Sequence, residues 1–200
     1  MRRWILTLFF CLVWTGSAWA DSFKTLAGVE LGANIENYWH LLYRDTATEL
    51  PDVLFMKEVK LKPGAIPGIR GGSLSYGICI GEKRVARMKL KFADRGEQLF
   101  RDLDRLYRSR FGRPDDWVGN AFRTIQAWQW ILGKGGSDEV EIILMHSKVD
   151  DMRPGVSIKM TLTTLWEEER ACWERTRDRE DVDEEYGDME IRSLEDFVPH

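Results

Sequence analysis

Apolar residues recur along this chain with two different periods, and the change between them divides it into elements. After a lead-in that ends in Val29-Glu30-Leu31-Gly32, Asn34 offers a helix cap, and Ile35, Tyr38, Trp39 and Leu42 follow at the i, i+3, i+4, i+7 spacing of one helical stripe. With Pro51 as the stop, that spacing predicts a helix over 34–49. Three strand-like runs come next: Val53 to Leu61, Ser73 to Ile80 and Arg84 to Phe92. The last alternates Ala86, Met88, Leu90 and Phe92 with Arg87, Lys89 and Lys91, the habit of an antiparallel sheet with one covered and one wet face. Residues 63–72, rich in Gly and Pro, read as the loop between the first two runs.

Asp94-Arg95-Gly96-Glu97 has the form of a capping box with Asp in the leading place. Behind it Leu99, Leu103, Leu106 and Arg110, flanked by Phe100, Tyr107 and Phe111, make a broad stripe that Gly112 and Pro114 end. Strand patterns follow at Phe122 to Leu132, Val140 to His146 and Val156 to Trp166, with Gly133 to Asp138 as a hairpin loop. Glu167 to Arg179 reads as a charged helix. The expected fold is α+β: antiparallel sheet or sheets with helices packed on one face, in the order α-βββ-α-βββ-α. The two halves share no residue-level repeat.

The first twenty residues change the picture of where this fold works. Met1-Arg2-Arg3, an apolar run from Trp4 to Trp14, and Ser17-Ala18-Trp19-Ala20 form a secretory signal peptide with cleavage expected after Ala20. The apolar run holds about 11 residues where a span needs about 20, so a retained membrane helix is the weaker reading and no stable span is expected after cleavage. A periplasmic location follows. Residues 21–175 are expected to form a single α+β domain, and 176–200 an acidic tail too polar to bury much.

Charge is distributed unevenly. The whole chain has a net charge of −4; residues 21–166 carry 22 basic and 19 acidic groups, and Glu167 to His200 carry 14 acidic and 5 basic. A mildly basic body with an acidic tail lacks the concentrated basic face of a nucleic-acid binder. Within the tail, Met189, Ile191, Leu194, Phe197 and Val198 are spaced like one face of an amphipathic segment that docks on the body or on a partner; the bland alternative is a frayed end. Of three cysteines Cys11 leaves with the signal, and the remaining pair, Cys79 and Cys172, is expected to be bridged in an oxidising compartment, against the alternative of two buried thiols.

Motifs that carry chemistry are sparse. His40, His146 and His200 have no partner at metal-ligand spacing, so no metal and no cofactor is implied. Ser73-Leu74-Ser75-Tyr76-Gly77 lacks the first glycine of a nucleophile elbow and lies within a strand, where Ser73 and Ser75 read as the wet face. Gly133 to Ser137 is a turn, not a phosphate loop. Asp115 and Asp116 are adjacent and point apart, which makes a poor acid–base dyad; Asp115 reads as a turn or cap residue. Trp128 and Trp130 share a sheet face and with Trp117 form a candidate binding surface, against the alternative that all three are core.

Ser75-Tyr76-Gly77-Ile78-Cys79, Lys89-Leu90-Lys91-Phe92-Ala93-Asp94, Phe111-Gly112-Arg113-Pro114-Asp115-Asp116-Trp117, Trp128-Gln129-Trp130 and Glu167-Glu168-Glu169-Arg170-Ala171-Cys172 together resemble a family of secreted bacterial proteins with no assigned function, over about residues 28–175. That resemblance implies export and a single domain and carries over no catalytic residue. Val29-Glu30-Leu31-Gly32 before a helix is also similar to the opening of small envelope lipoproteins of the barrel-assembly type, which are shorter and lipidated. The expectation is an exported periplasmic binding or interaction module without catalytic activity, with an envelope protein or a glycan as partner. The competing class is a cell-envelope enzyme, such as a glycan hydrolase using carboxylates.

Overall fold

A computed structural model describes residues 23–149 and 154–180 of the chain. The predicted signal peptide at 1–20 and the segment 181–200 lie outside the described residues, and so does the amphipathic spacing of Met189 to Val198. The fold is α+β and built on one eight-stranded antiparallel sheet. A two-stranded hairpin, β1 (Thr25–Leu26) and β2 (Val29–Glu30), precedes it. The sheet strands are β3 (Thr48–Leu50), β4 (Val53–Lys60), β5 (Ile69–Gly77), β6 (Val85–Phe92), β7 (Asp116–Trp117), β8 (Ile125–Leu132), β9 (Val140–Ser147) and β10 (Gly155–Leu162). Helix α1 (Glu97–Phe111) follows β6, and α2 (Thr163–Glu180) follows β10.

The strand order is β3-β4-β5-β6-β10-β9-β8-β7, with β6 and β10 paired antiparallel at the centre. Each half is therefore a four-stranded meander followed by a helix, and the order reads the same from either edge. The architecture is duplicated although the residues are not. Both edge strands are very short, which limits pairing with other chains.

Alternation along the strands separates two faces. Val59, Leu74, Met88, Met160, Ile142 and Trp130 stand in one cross-strand row through six strands, and each is buried. Such side chains each contribute about 1.5–3 kcal/mol on leaving water. On the other face Lys60, Ser73, Lys89, Lys159, Ile143, Gln129 and Asp116 form the neighbouring row.

Helix α1 covers the apolar face with Phe100 against His146 (ring centroids 5.9 Å apart) and Tyr107 against Trp130 (5.5 Å). Burial pushes the Tyr107 phenol up to about 12. Leu106, expected on the stripe, points outward. The helix ends at Gly112 with φ 82°, as its sequence predicts. Its start differs: Gly96 is the cap residue, and Asp94 Oδ1 accepts the Gly96 amide at 2.7 Å, a local turn rather than a capping box.

Several other expectations are corrected. The predicted helix over 34–49 is a 3-10 turn at Ile35–Leu41, a second at Arg44–Thr46, and then strand β3. Asn34 does cap, its Oδ1 accepting the Glu36 amide at 2.8 Å. Leu42 then turns extended to pair with Leu61, and Thr46 Oγ1 accepts the Lys60 amide, so this segment zips onto β4 instead of continuing as helix. Strand β5 begins at Ile69, inside the predicted 63–72 loop, with a register shift absorbing Arg70. Helix α2 starts at Thr163, four residues before the predicted Glu167, and runs to Glu180, one residue past the predicted Arg179.

The helices do not share one face. Arg87 stands opposite Ser75 and Thr161 on the polar side, and its guanidinium lies 3.6 Å from the Trp166 ring centre of α2. Helix α2 thus covers one end of the face opposite to α1. That cover explains Ser75, read from sequence as wet but buried at 1% exposure; Ser73, also read as wet, is buried as well.

Cys79 and Cys172 are bridged, with Cα atoms 6.0 Å apart, tying the segment after β5 to α2. One turn earlier on α2, Glu169 is fully buried; its Oε2 accepts the amides of Cys79 (2.8 Å) and Ile80 (3.2 Å). A methyl group at Gly77 would overlap the Glu169 carboxylate, so only glycine leaves room for it. Among the described residues no helix is long and apolar enough to cross a membrane.

Candidate functional site

The β7–β8 hairpin assembles the one predicted surface that stays accessible. Trp117 stands directly opposite Trp128, and their indoles meet edge to face with centroids 4.6 Å apart. Antiparallel register places the two on the same sheet face. Beyond Trp117 the chain turns through Gly119, where any Cβ would strike the Trp117 ring and the Ile125 carbonyl. Asn120 locks the turn: its amide donates to the Ile125 carbonyl (3.0 Å), its Oδ1 accepts the Ile125 amide (3.0 Å), and its Nδ2 donates to Thr124 Oγ1 (2.6 Å). Arg123 adopts φ 53° and donates its amide to Asn120 O, closing the loop.

This tight turn displays Phe122 at 88% exposure. The predicted strand start at Phe122 therefore fails, because residues 122–124 are spent on the turn and β8 begins at Ile125. A cleft of about 450 Å³ opens beside it, lined by Trp117, Asn120, Ala121, Arg123, Gln126 and Trp128. Behind Trp128, the Arg108 guanidinium sits 4.8 Å from the ring centre, held by Asp104 at 2.8 Å. The cleft combines half-exposed indole surface with the Gln126 amide and the Arg123 guanidinium, the usual mixture of a ligand site.

Trp130 is not part of it. At 1% exposure it packs on Tyr107 and donates Nε1–H to the Gly112 carbonyl at 3.1 Å, so it belongs to the core. Trp128 and Trp130 share a face, but α1 ends over Trp130. Phe122, Arg108 and Arg123 escaped the sequence reading; the only signal for the loop was Gly119-Asn120, a turn pair without alternation around it.

Asp115 and Asp116 are consumed by backbone. Asp115 Oδ2 accepts the Ile131 amide (2.6 Å) and its Oδ1 pairs with Lys134 (2.6 Å), so this carboxylate continues the ladder at the sheet edge instead of closing a local turn or cap. Asp116 Oδ1 accepts the Trp117 amide at 2.7 Å. The Lys134 hydrogen bond, then the Ile131 amide, hold the Asp115 carboxyl below its ordinary range. A depressed folded-state pKa means stability present above the unfolded value and lost as pH falls through the folded one. Asp115→Ala is therefore expected to melt roughly 2–4 °C below the parent at pH 7, with the gap closing as pH falls below the ordinary aspartate range. Paired melting curves across that range check it.

His146 is buried on the apolar face, with Nε2 3.2 Å from the Arg95 carbonyl. His40 is exposed on the first 3-10 turn, and His200 lies outside the described residues. No group of three His, Cys, Asp or Glu that could hold a metal occurs among the described residues. A second cleft, about 460 Å³, separates β1–β2 from α1 and is lined mainly by Phe23, Leu26, Tyr107, Phe111, Ile142 and Met160.

Fold and disulfide define the class: an α+β domain on a duplicated antiparallel meander, stapled by one bridge. No protein-family model, curated protein or solved structure matches the chain.

Proposed function

We propose that this is an exported periplasmic binding module without catalytic activity, and that it takes a cell-envelope glycan in the Trp117–Trp128 cleft. The single observation that carries the reading is the aromatic pair with Phe122 beside it, displayed on a turn pinned by Asn120. Large apolar rings cost free energy when left in water, and a rigid mount removes much of the ordering cost of binding. A sugar ring offers an apolar C–H face to an indole and hydroxyls to amide and guanidinium groups; Gln126 and Arg123 line the same cleft. The bridge between Cys79 and Cys172 accords with an oxidising compartment.

The hydrolase alternative gains no support from Asp115 and Asp116, the adjacent pair read from sequence as a poor dyad. Asp115 and Asp116 face the backbone, and Asp115 is shifted toward ionisation, whereas a general acid needs a raised pKa.

Titrating the mature protein with soluble peptidoglycan oligosaccharides should quench tryptophan fluorescence saturably, and Trp128→Ala should weaken that binding at least tenfold. Absence of a response in the parent, or an equal response in the variant, would overturn the site. Release of new reducing ends would favour the hydrolase instead.

A further inference from the structure

The polar face of the sheet divides into two halves of different composition. Its half nearest α2 is cationic: Lys60, Lys89 and Lys159 lie in one cross-strand row, with Arg87 and Lys91 in the adjoining rows. Among the described residues Lys89 pairs with Glu58 (3.3 Å) and Lys159 with Glu141 (3.1 Å). A cleft of about 320 Å³ on this half is lined by Lys60, Arg70, Ser73, Lys89 and Lys91 around Glu58. The half farther away is apolar: Ile143 follows Lys159 in the same row, with Met145 and Ile131 in the rows beside it, all half-buried.

The chain carries a segment of matching order. Residues 181–200 hold eight acidic groups and one basic one; six of the eight fall between Asp181 and Glu190, and Met189, Ile191, Leu194, Phe197 and Val198 come after or at its end. Helix α2 delivers it to the correct side, since Trp166 lies on Arg87. From Arg87 to Lys91 is about 14 Å along β6. Twenty extended residues reach about 65 Å, ample to cross the face.

We propose that residues 181–200 dock on this chain's own polar sheet face, the acidic run on Lys60, Lys89, Lys91 and Lys159, the apolar run on Ile143 and Met145. The tether holds the segment at roughly millimolar effective concentration, so weak ion pairs suffice at low ionic strength. They are screened as salt rises past the point where the Debye length falls to about 3 Å, near 1 M. This inference is independent of the glycan reading, because the Trp117–Trp128 cleft lies on the opposite face.

Zero-length carbodiimide coupling of the mature protein, followed by peptide mass spectrometry of the monomer band, tests it. Links from Lys60 or Lys91 to residues 181–190 are expected at low salt, falling at least fivefold in 1 M NaCl and in the Lys60→Glu/Lys91→Glu variant. As a second measurement, amide signals of residues 189–198 should move toward random-coil positions in Met145→Lys. Links confined to the dimer band would overturn docking within one chain. So would their absence at low salt, or tail amides already at random-coil positions and unmoved by either variant.

Discussion

Glu169→Ala is expected to lower the melting temperature by roughly 6–12 °C, a loss of about 3 kcal/mol. The carboxylate is fully buried and is the acceptor for the amides of Cys79 and Ile80, which the variant leaves without a partner. It also empties the space that Gly77 keeps open. Glu169→Gln retains an oxygen of similar shape and is expected to lose less than the alanine variant. Gly77→Ala, which forces the carboxylate aside, should fall in the same range as Glu169→Ala. If Glu169→Ala melts within about 2 °C of the parent, the amides are held by something other than this side chain.

The second large effect belongs to the bridge. Cys79 and Cys172 are separated by 93 residues, and closing a loop of that length stabilises by about 4–5 kcal/mol in the chain-entropy model. Cys172→Ser is expected to melt roughly 10–15 °C lower, and a reductant should bring the parent to the same value. Glu169 and Cys172 stand one helical turn apart on α2 and hold neighbouring atoms of the same segment. Their substitutions should therefore be non-additive, the double variant losing less than the two single losses combined.

Sheet alternation was legible wherever one strand face is covered and the other wet, as in Ala86 to Phe92, where period two needs no tertiary knowledge. Helix α2 was misplaced because its inward stripe, Leu165 and Glu169 buried and Cys172 half-buried, contains a charged residue where the pattern wants an apolar one. Trp166 happens to extend the strand alternation of β10 by coincidence of spacing. The first helix failed for a different reason: Leu42 earns more by entering the core beside Leu61 than by closing another helical turn. In the candidate site, Trp117 and Trp128 were readable as a pair. The exclusion of Trp130 was not, because it depends on where α1 ends, and Phe122 became visible only once Asn120 was seen to close the turn.

Nuclear magnetic resonance of the indole N–H signals gives the most direct test of the binding role. On adding soluble peptidoglycan oligosaccharides to the mature protein, the Trp117 and Trp128 signals are expected to shift together and saturably, with Trp130 and Trp39 stationary and the oligosaccharide length unchanged. Shifts absent from both Trp117 and Trp128, or spread equally over all the indoles, would contradict a glycan site at the β7–β8 edge.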